Sequence, residues 1–139
     1  MSRNDELKSG KLAEHLINKL INGTITRSKG FDITKGDIRI EVRSRTKFTD
    51  GKTPRATVNK SKMTSSDVIS FVQFNNDAEK SIASAVLIDT KNLDLLYQKY
   101  RQINGVAHIP FDKVFSHPKS MDITNRLIAI DNNSKIKDK

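Results

Sequence analysis

The sequence predicts an α/β protein in which a mixed sheet of about five strands is flanked by helices. Apolar residues recur at three- and four-residue spacing in the first 22 positions and again after position 90, which is typical of helices with one buried face. Between these segments lie short runs rich in β-branched and aromatic residues. The run at 68–74 is almost continuously apolar, as expected for a strand buried on both faces. A chain of 139 residues fits a single domain.

The expected elements follow one another as helix, strand, hairpin, two antiparallel strands, helix, strand and helix. In that order they cover about 5–22, 24–27, 30–45, 68–74, 81–89, 90–102, 106–110 and 122–130. Asn22-Gly23 ends the first helix, with glycine in the favoured position past the helix end. Three stretches are expected to lack regular structure. They are the flexible termini, 1–4 and 131–139, and a basic loop at 46–64.

Charge and composition favour a polyanionic partner. The net charge is +9, and residues 1–69 carry 15 basic and 8 acidic side chains, so most of the excess lies in the half that contains the hairpin. A localised basic surface attracts nucleic acid through counterion release. A basic surface that serves only solubility is the alternative. We favour nucleic acid because the charge asymmetry coincides with the candidate site described below.

Several function classes are not expected. The chain has no cysteine, which excludes disulfides and thiolate metal sites. No glycine-rich phosphate-binding loop occurs, so no nucleotide cofactor is expected. No apolar run approaches the length of a membrane span, and we expect a cytoplasmic protein with no membrane partner.

The hairpin places two carboxylates together. Side chains on a strand alternate between faces, so Glu41 and Arg43 should share one face while Ile38, Ile40 and Val42 enter the core. Asp32 lies between two apolar residues on the opposing strand and, in the expected register, meets Glu41. Paired carboxylates repel each other unless a cation lies between them, and Mg²⁺ prefers such oxygen ligands. A bound Mg²⁺ polarises a phosphoryl oxygen and generates hydroxide, which suits phosphodiester hydrolysis.

The pattern Asp32, then Glu41-Val42-Arg43, resembles the signature of the PD-(D/E)xK nuclease superfamily, whose members have the restriction-endonuclease-like fold. Gly10-x-x-Ala13-Glu14 on the first helix is similar to the glutamate motif of archaeal Holliday-junction resolvases and small restriction-type nucleases. The resemblance implies a Mg²⁺-dependent endodeoxyribonuclease, with Mn²⁺ as a possible substitute.

In that resemblance Asp32 and Glu41 would hold the metal with the Val42 carbonyl, and Glu14 would bind it or orient its water. Glu14 fits an ordinary solvated helix glutamate equally well. A homodimer is also implied, because two strands or a junction require two sites.

The sequence departs from the family at Arg43, where a lysine is usual. Arginine keeps its proton and presents a planar fork rather than a compact charge, so Arg43 would steady the scissile phosphate. Arg45, on the same strand face, is the alternative cation. Further basic residues are expected to contact DNA. With Arg45, this set comprises Lys29, Lys47, Lys52, Arg55, Lys60 and Lys62.

Two alternatives to the nuclease stay open. Arg43 is compatible with a catalytically inactive DNA-binding module on a degenerate nuclease fold. A basic RNA-binding protein would require neither Asp32 nor Glu41.

Overall fold

The computed structural model describes residues 3–28, 31–50, 52 and 54–137. Thirteen elements follow one another along this part of the chain. They are α1 (Arg3–Ile21), β1 (Thr24–Ser28), β2 (Phe31–Lys35), β3 (Ile38–Thr46), β4 (Arg55–Asn59), α2 (Lys60–Ser65), β5 (Val68–Phe74), β6 (Ile82–Asp89), α3 (Thr90–Tyr97), β7 (Val106–Pro110), α4 (Phe111–Phe115), β8 (Met121–Asp122) and α5 (Thr124–Lys137). None of the described helices has the length and apolar character needed to cross a membrane.

The predicted α/β class with a mixed sheet is confirmed. Six strands form the main sheet in the order β1-β2-β3-β5-β6-β8, and β4 pairs with β7 in a separate two-stranded sheet. Neighbours in the main sheet are antiparallel except β3 and β5, which are parallel. The sheet has one strand more than expected because β8, only two residues long, adds to its edge.

The stretch 46–64 is not a loop, contrary to the prediction. After β3 the chain forms β4 and then α2 before it enters β5. Parallel strands need a crossover connection, and β4 with α2 provides part of it. Ala56 and Val58 are the buried residues of β4, and Asn59 caps α2 by accepting a hydrogen bond from the Ser61 N–H at 2.8 Å.

An ion pair fixes the point where β5 begins beside β3. The Arg39 backbone N–H donates to Asp67 at 2.8 Å, and the guanidinium makes two further contacts to the same carboxylate at 3.2 Å. The Asp67 N–H in turn donates to the Arg39 carbonyl at 2.8 Å. Asp67 therefore helps to set the register of the parallel pair.

Two hydrophobic cores lie on opposite faces of the main sheet. On one face α1 and α5 pack against the strands, with Ala13, Ile17, Ile33, Ile40, Val72 and Leu127 in that core. The other face is covered by β4, β7 and helices α2, α3 and α4, with Ile69, Phe71, Val58, Met63, Leu93 and Phe111 in its core. The second core therefore covers the face of the main sheet that is opposite α1.

Two helix boundaries differ from the prediction. The helix from Thr90 ends at Tyr97 rather than near Gln102, and the Tyr97 hydroxyl donates to the Gly105 carbonyl at 2.6 Å. The last helix continues through Lys137, so residues 131–137 are helical rather than irregular. Leu127 and Asp131 are buried, and α5 packs against α1 and β6. This tertiary packing stabilises the helix beyond the segment for which the sequence shows an apolar stripe.

Candidate active site

The hairpin of β2 and β3 brings Asp32 and Glu41 together. Gly36 takes a φ of +58° at the turn, and Ile33 pairs with Ile40. The same register, extended by one residue, sets Asp32 opposite Glu41. The Asp32 carboxylate accepts a hydrogen bond from the Val42 N–H at 2.9 Å, which holds it against β3. Asp32 and Glu41 themselves lie within hydrogen-bonding reach of each other.

Glu41 is a buried acid with a perturbed pKa. Its residue is only 5 % exposed. Burial is the main cause that raises the pKa of Glu41 to about 7, and the hydrogen bond to Asp32 and repulsion by its charge add to it. Arg43 and Lys62 act in the opposite direction. Perturbed acids of this kind concentrate at functional sites.

Lys62 approaches the pair from above the sheet. Its ammonium nitrogen lies 3.2 Å from Glu41 Oε2, and its side chain is 36 % exposed. The Oε2 atom is buried and accepts no hydrogen bond of good geometry from the described residues. Its contact with Lys62 is thus an ion pair.

A cationic cleft continues from the carboxylate pair along β3. Strand alternation places Arg43 and Arg45 on the same face as Glu41, and both line a cleft of about 180 Å³. Thr57 on β4 lines the opposite wall, and the buried Phe111 lies beneath. Two guanidinium groups and a hydroxyl around a small cleft suit a phosphate group.

Among the described residues, Glu14 does not combine with Asp32 and Glu41 in a three-carboxylate cluster suited to a metal. Its helix α1 packs on the other face of the sheet, where Ala13 and Ile17 meet Ile40. Strand alternation turns Glu41 to the opposite face, and the groups that set its pKa do not include Glu14. Helix α1 therefore contacts the face of β3 that is opposite the Glu41 side chain. Gly10 of the glutamate motif faces Ser44, whose side chain shares the α1 face.

Three further basic residues of the predicted DNA surface, Lys47, Lys52 and Arg55, follow one another from the end of β3 to the start of β4. Lys29 lies outside the described residues. Lys52 is exposed and pairs weakly with Asp50 at 3.8 Å. Arg55 is exposed at the start of β4, and Lys47 is half-buried after the end of β3.

The two lysines of α2 point in different directions. Lys60 pairs with Asp94 on α3 at 3.1 Å, and its ammonium also lies 5.9 Å from the centre of the Tyr97 ring. Lys62 turns to Glu41 instead. This separation follows from the helix that replaces the predicted loop, because residues two apart on a helix face different ways.

Sequence reasoning missed Thr57 and the contact between Lys62 and Glu41. No spacing rule links Lys62 to Glu41, which lies 21 positions earlier in the chain. One signal for α2 was present, because Asn59 precedes a short run with buried Met63 and is a favoured helix cap.

The residues present fit a small hard cation. The part of the chain that the structure describes holds no cluster of three or more acidic, histidine or cysteine side chains suited to a metal. Mg²⁺, however, is commonly bound through one or two carboxylates with waters and substrate phosphate completing its coordination. Asp32 and Glu41 supply that number, and the Lys62 ammonium beside Glu41 Oε2 shows that a positive charge is accommodated at this oxygen.

Comparison with known proteins adds no family to this geometry. No protein-family model matches the chain. A search of the curated proteins also finds no match. The activity of this protein must therefore be inferred from the carboxylate pair and the cations around it.

Proposed function

We propose that this protein is a metal-dependent endonuclease that hydrolyses DNA phosphodiester bonds. The observation that carries the proposal is the pair of contacting carboxylates, Asp32 and buried Glu41, at the end of a cleft lined by Arg43 and Arg45. Repulsion within the pair favours a divalent cation, and the arginines favour the phosphate of a polyanion. The net charge of +9 supports a nucleic-acid partner.

Asp32 and Glu41 would hold Mg²⁺, or Mn²⁺ in its place, together with the Val42 carbonyl. When bound, the ion would supply a Lewis acid for the phosphate and lower the pKa of a coordinated water. Arg43 binds the scissile phosphate through its planar fork, and Arg45 with Thr57 binds the next phosphate along the strand.

In the overall reaction a water oxygen bonds to phosphorus while one phosphorus–oxygen bond to a sugar breaks. The departing sugar oxygen takes up a proton, so the products are a phosphate monoester and a hydroxyl.

Plasmid nicking tests the proposal. The wild-type protein should convert supercoiled DNA to nicked or linear forms with Mg²⁺ or Mn²⁺ and not with EDTA. Glu41→Ala should abolish cutting. Asp37→Ala is the matched control, because it removes an exposed carboxylate from the turn of the same hairpin and should cut at the wild-type rate. Absence of metal-dependent cutting by the wild type, or equal cutting by Glu41→Ala, would overturn the proposal.

A second candidate is a DNA-binding module without catalysis. Lys62 already neutralises Glu41 in this structure, as an ammonium in place of a metal would. This candidate predicts DNA binding that does not depend on metal or on Asp32, and no cutting. A DNA mobility-shift assay with EDTA, run beside the nicking assay, separates it from the nuclease.

The proposed nuclease acts as a homodimer, since cutting both strands of a duplex requires two sites. Sedimentation equilibrium should give twice the chain mass of 15.7 kDa. A monomer at assay concentrations that still linearises plasmid in one binding event would contradict this part of the proposal.

A further inference from the structure

Among the described residues, Lys62 is a lysine that contacts the carboxylate pair, and it comes from outside the hairpin. Lys62 Nζ lies 3.2 Å from Oε2 of Glu41, the carboxylate at the centre of the proposed site. The lysine is carried by α2, which follows directly after β4 and lies 21 positions from Glu41 in the chain. It therefore reaches the pair across the second hydrophobic core rather than along β3.

The surrounding structure holds α2 in this position. Asn59 caps the helix through the Ser61 N–H and hydroxyl, both at 2.8 Å. Met63, the next residue after Lys62, is buried in the core beneath the helix. Lys60 anchors the same turn to Asp94 on α3. A helix cap, a buried side chain and an ion pair thus hold the helix that carries Lys62.

Lysine and arginine offer different chemistry at this site. An ammonium is a compact charge with three donors that rotate freely, whereas a guanidinium is a wide planar fork. Lys62 uses only part of this donor capacity on Glu41, and its side chain is 36 % exposed, so solvent and solutes can reach it. Arg43 lies two residues after Glu41 on β3 and lines the cleft together with Thr57.

We propose that Lys62 is the catalytic lysine of the site, placing its ammonium on the scissile phosphate as negative charge builds there. Arg43 then binds the same phosphate in the ground state, and Lys62 adds the compact charge that answers the negative charge of the transition state. This inference deepens the proposed nuclease function and depends on it. Charge stabilisation by a preorganised donor acts on the transition state, so it affects the rate more than binding.

Three variants test the assignment. Lys62→Met removes the ammonium but keeps the length of the side chain. Lys91→Met is the matched control, since Lys91 is an exposed lysine in the first turn of α3. The double variant Lys62→Met/Arg43→Lys returns an ammonium from β3. Each is measured for single-turnover nicking at saturating protein, for Mn²⁺ affinity by electron paramagnetic resonance, and for DNA affinity in Ca²⁺.

Lys62→Met should lower the nicking rate at saturation by about 100-fold or more, with Mn²⁺ and DNA affinities within about threefold of wild type. Lys91→Met should match wild type in all three measurements. The double variant should recover at least about tenfold of the lost rate. If Lys62→Met fails to fold by circular dichroism, Lys62→Arg replaces it, and the same rate loss is expected because the fork does not fit the compact position.

Three outcomes would overturn the assignment. Cutting by Lys62→Met at the wild-type rate would remove the lysine from catalysis while the nuclease function stands. A loss of Mn²⁺ affinity that equals the loss of rate would show that Lys62 only positions Glu41. A wild-type protein that cuts under no metal condition would refute both the nuclease function and this role.

Discussion

Glu41→Gln should make the folded protein more stable above neutral pH while it abolishes the proposed activity. Glu41 is only 5 % exposed, and burial together with contact to Asp32 raises the pKa of Glu41 from 4.5 to about 7. The folded chain thus retains this proton at a pH where the unfolded chain has released it. Because the folded state binds more protons between these two values, stability is lost as pH rises through this range.

The size of the effect follows from the same shift. A pKa raised by this amount corresponds to roughly 3 kcal/mol of unfolding free energy above pH 7. The glutamine side chain is neutral and has nearly the same shape, so it avoids this penalty and can donate to Asp32. For a chain of this length the difference corresponds to roughly 10 °C in the melting temperature.

Urea unfolding of both proteins at several pH values between 4 and 8.5 measures the difference directly. The two proteins should have equal stability near pH 4, and the variant should gain progressively as the pH rises through 7. Asp37→Asn serves as the control, because Asp37 is an exposed acid in the turn of the same hairpin. A variant less stable than wild type at pH 8, or a stability difference that does not change with pH, would refute the reasoning.

Three further predictions test the fold and the cleft. Asp67→Asn should lower stability at pH 7 by about 1 kcal/mol in urea unfolding, because the paired groups are partly exposed. Hydrogen bonding to Arg39 lowers the pKa of Asp67, so this loss should disappear as the pH falls through that lowered pKa. Gly23→Ala should lower stability by about 1–3 kcal/mol in a thermal melt, since its new Cβ would lie 2.8 Å from the Thr34 carbonyl oxygen. Arg45→Gln should reduce the slope of log DNA affinity against log salt by about 0.9, and an unchanged slope would remove the cleft from the binding surface.

Much of the fold was predictable because its signals are local. The alternation of apolar and polar residues along 38–43 and the turn at Gly36 determine which side chains share a face of the hairpin. The same patterns located α1, β5, β6 and β7. The parallel pairing of β3 with β5 had no local signal, and neither did β4, whose pairing with β7 joins residues about fifty positions apart.

The candidate site likewise has parts that the sequence predicts and parts that it does not. Asp32 and Glu41 were predictable as neighbours because a two-residue turn between β2 and β3 leaves little freedom of register. The exclusion of Glu14 was not predictable, since an amphipathic helix packs equally well on either face of a sheet until the other elements have chosen theirs.

The sequence by itself determined the α/β class, an excess of basic residues and a pair of acids on one face of a hairpin. Only the tertiary structure decided what surrounds that pair: Lys62 from α2, Thr57 from β4, and α1 on the far side. The physical reason is that strand and helix periodicity fix the direction of each side chain relative to its own element. Which element covers a given face depends on the burial of apolar surface summed over the whole chain.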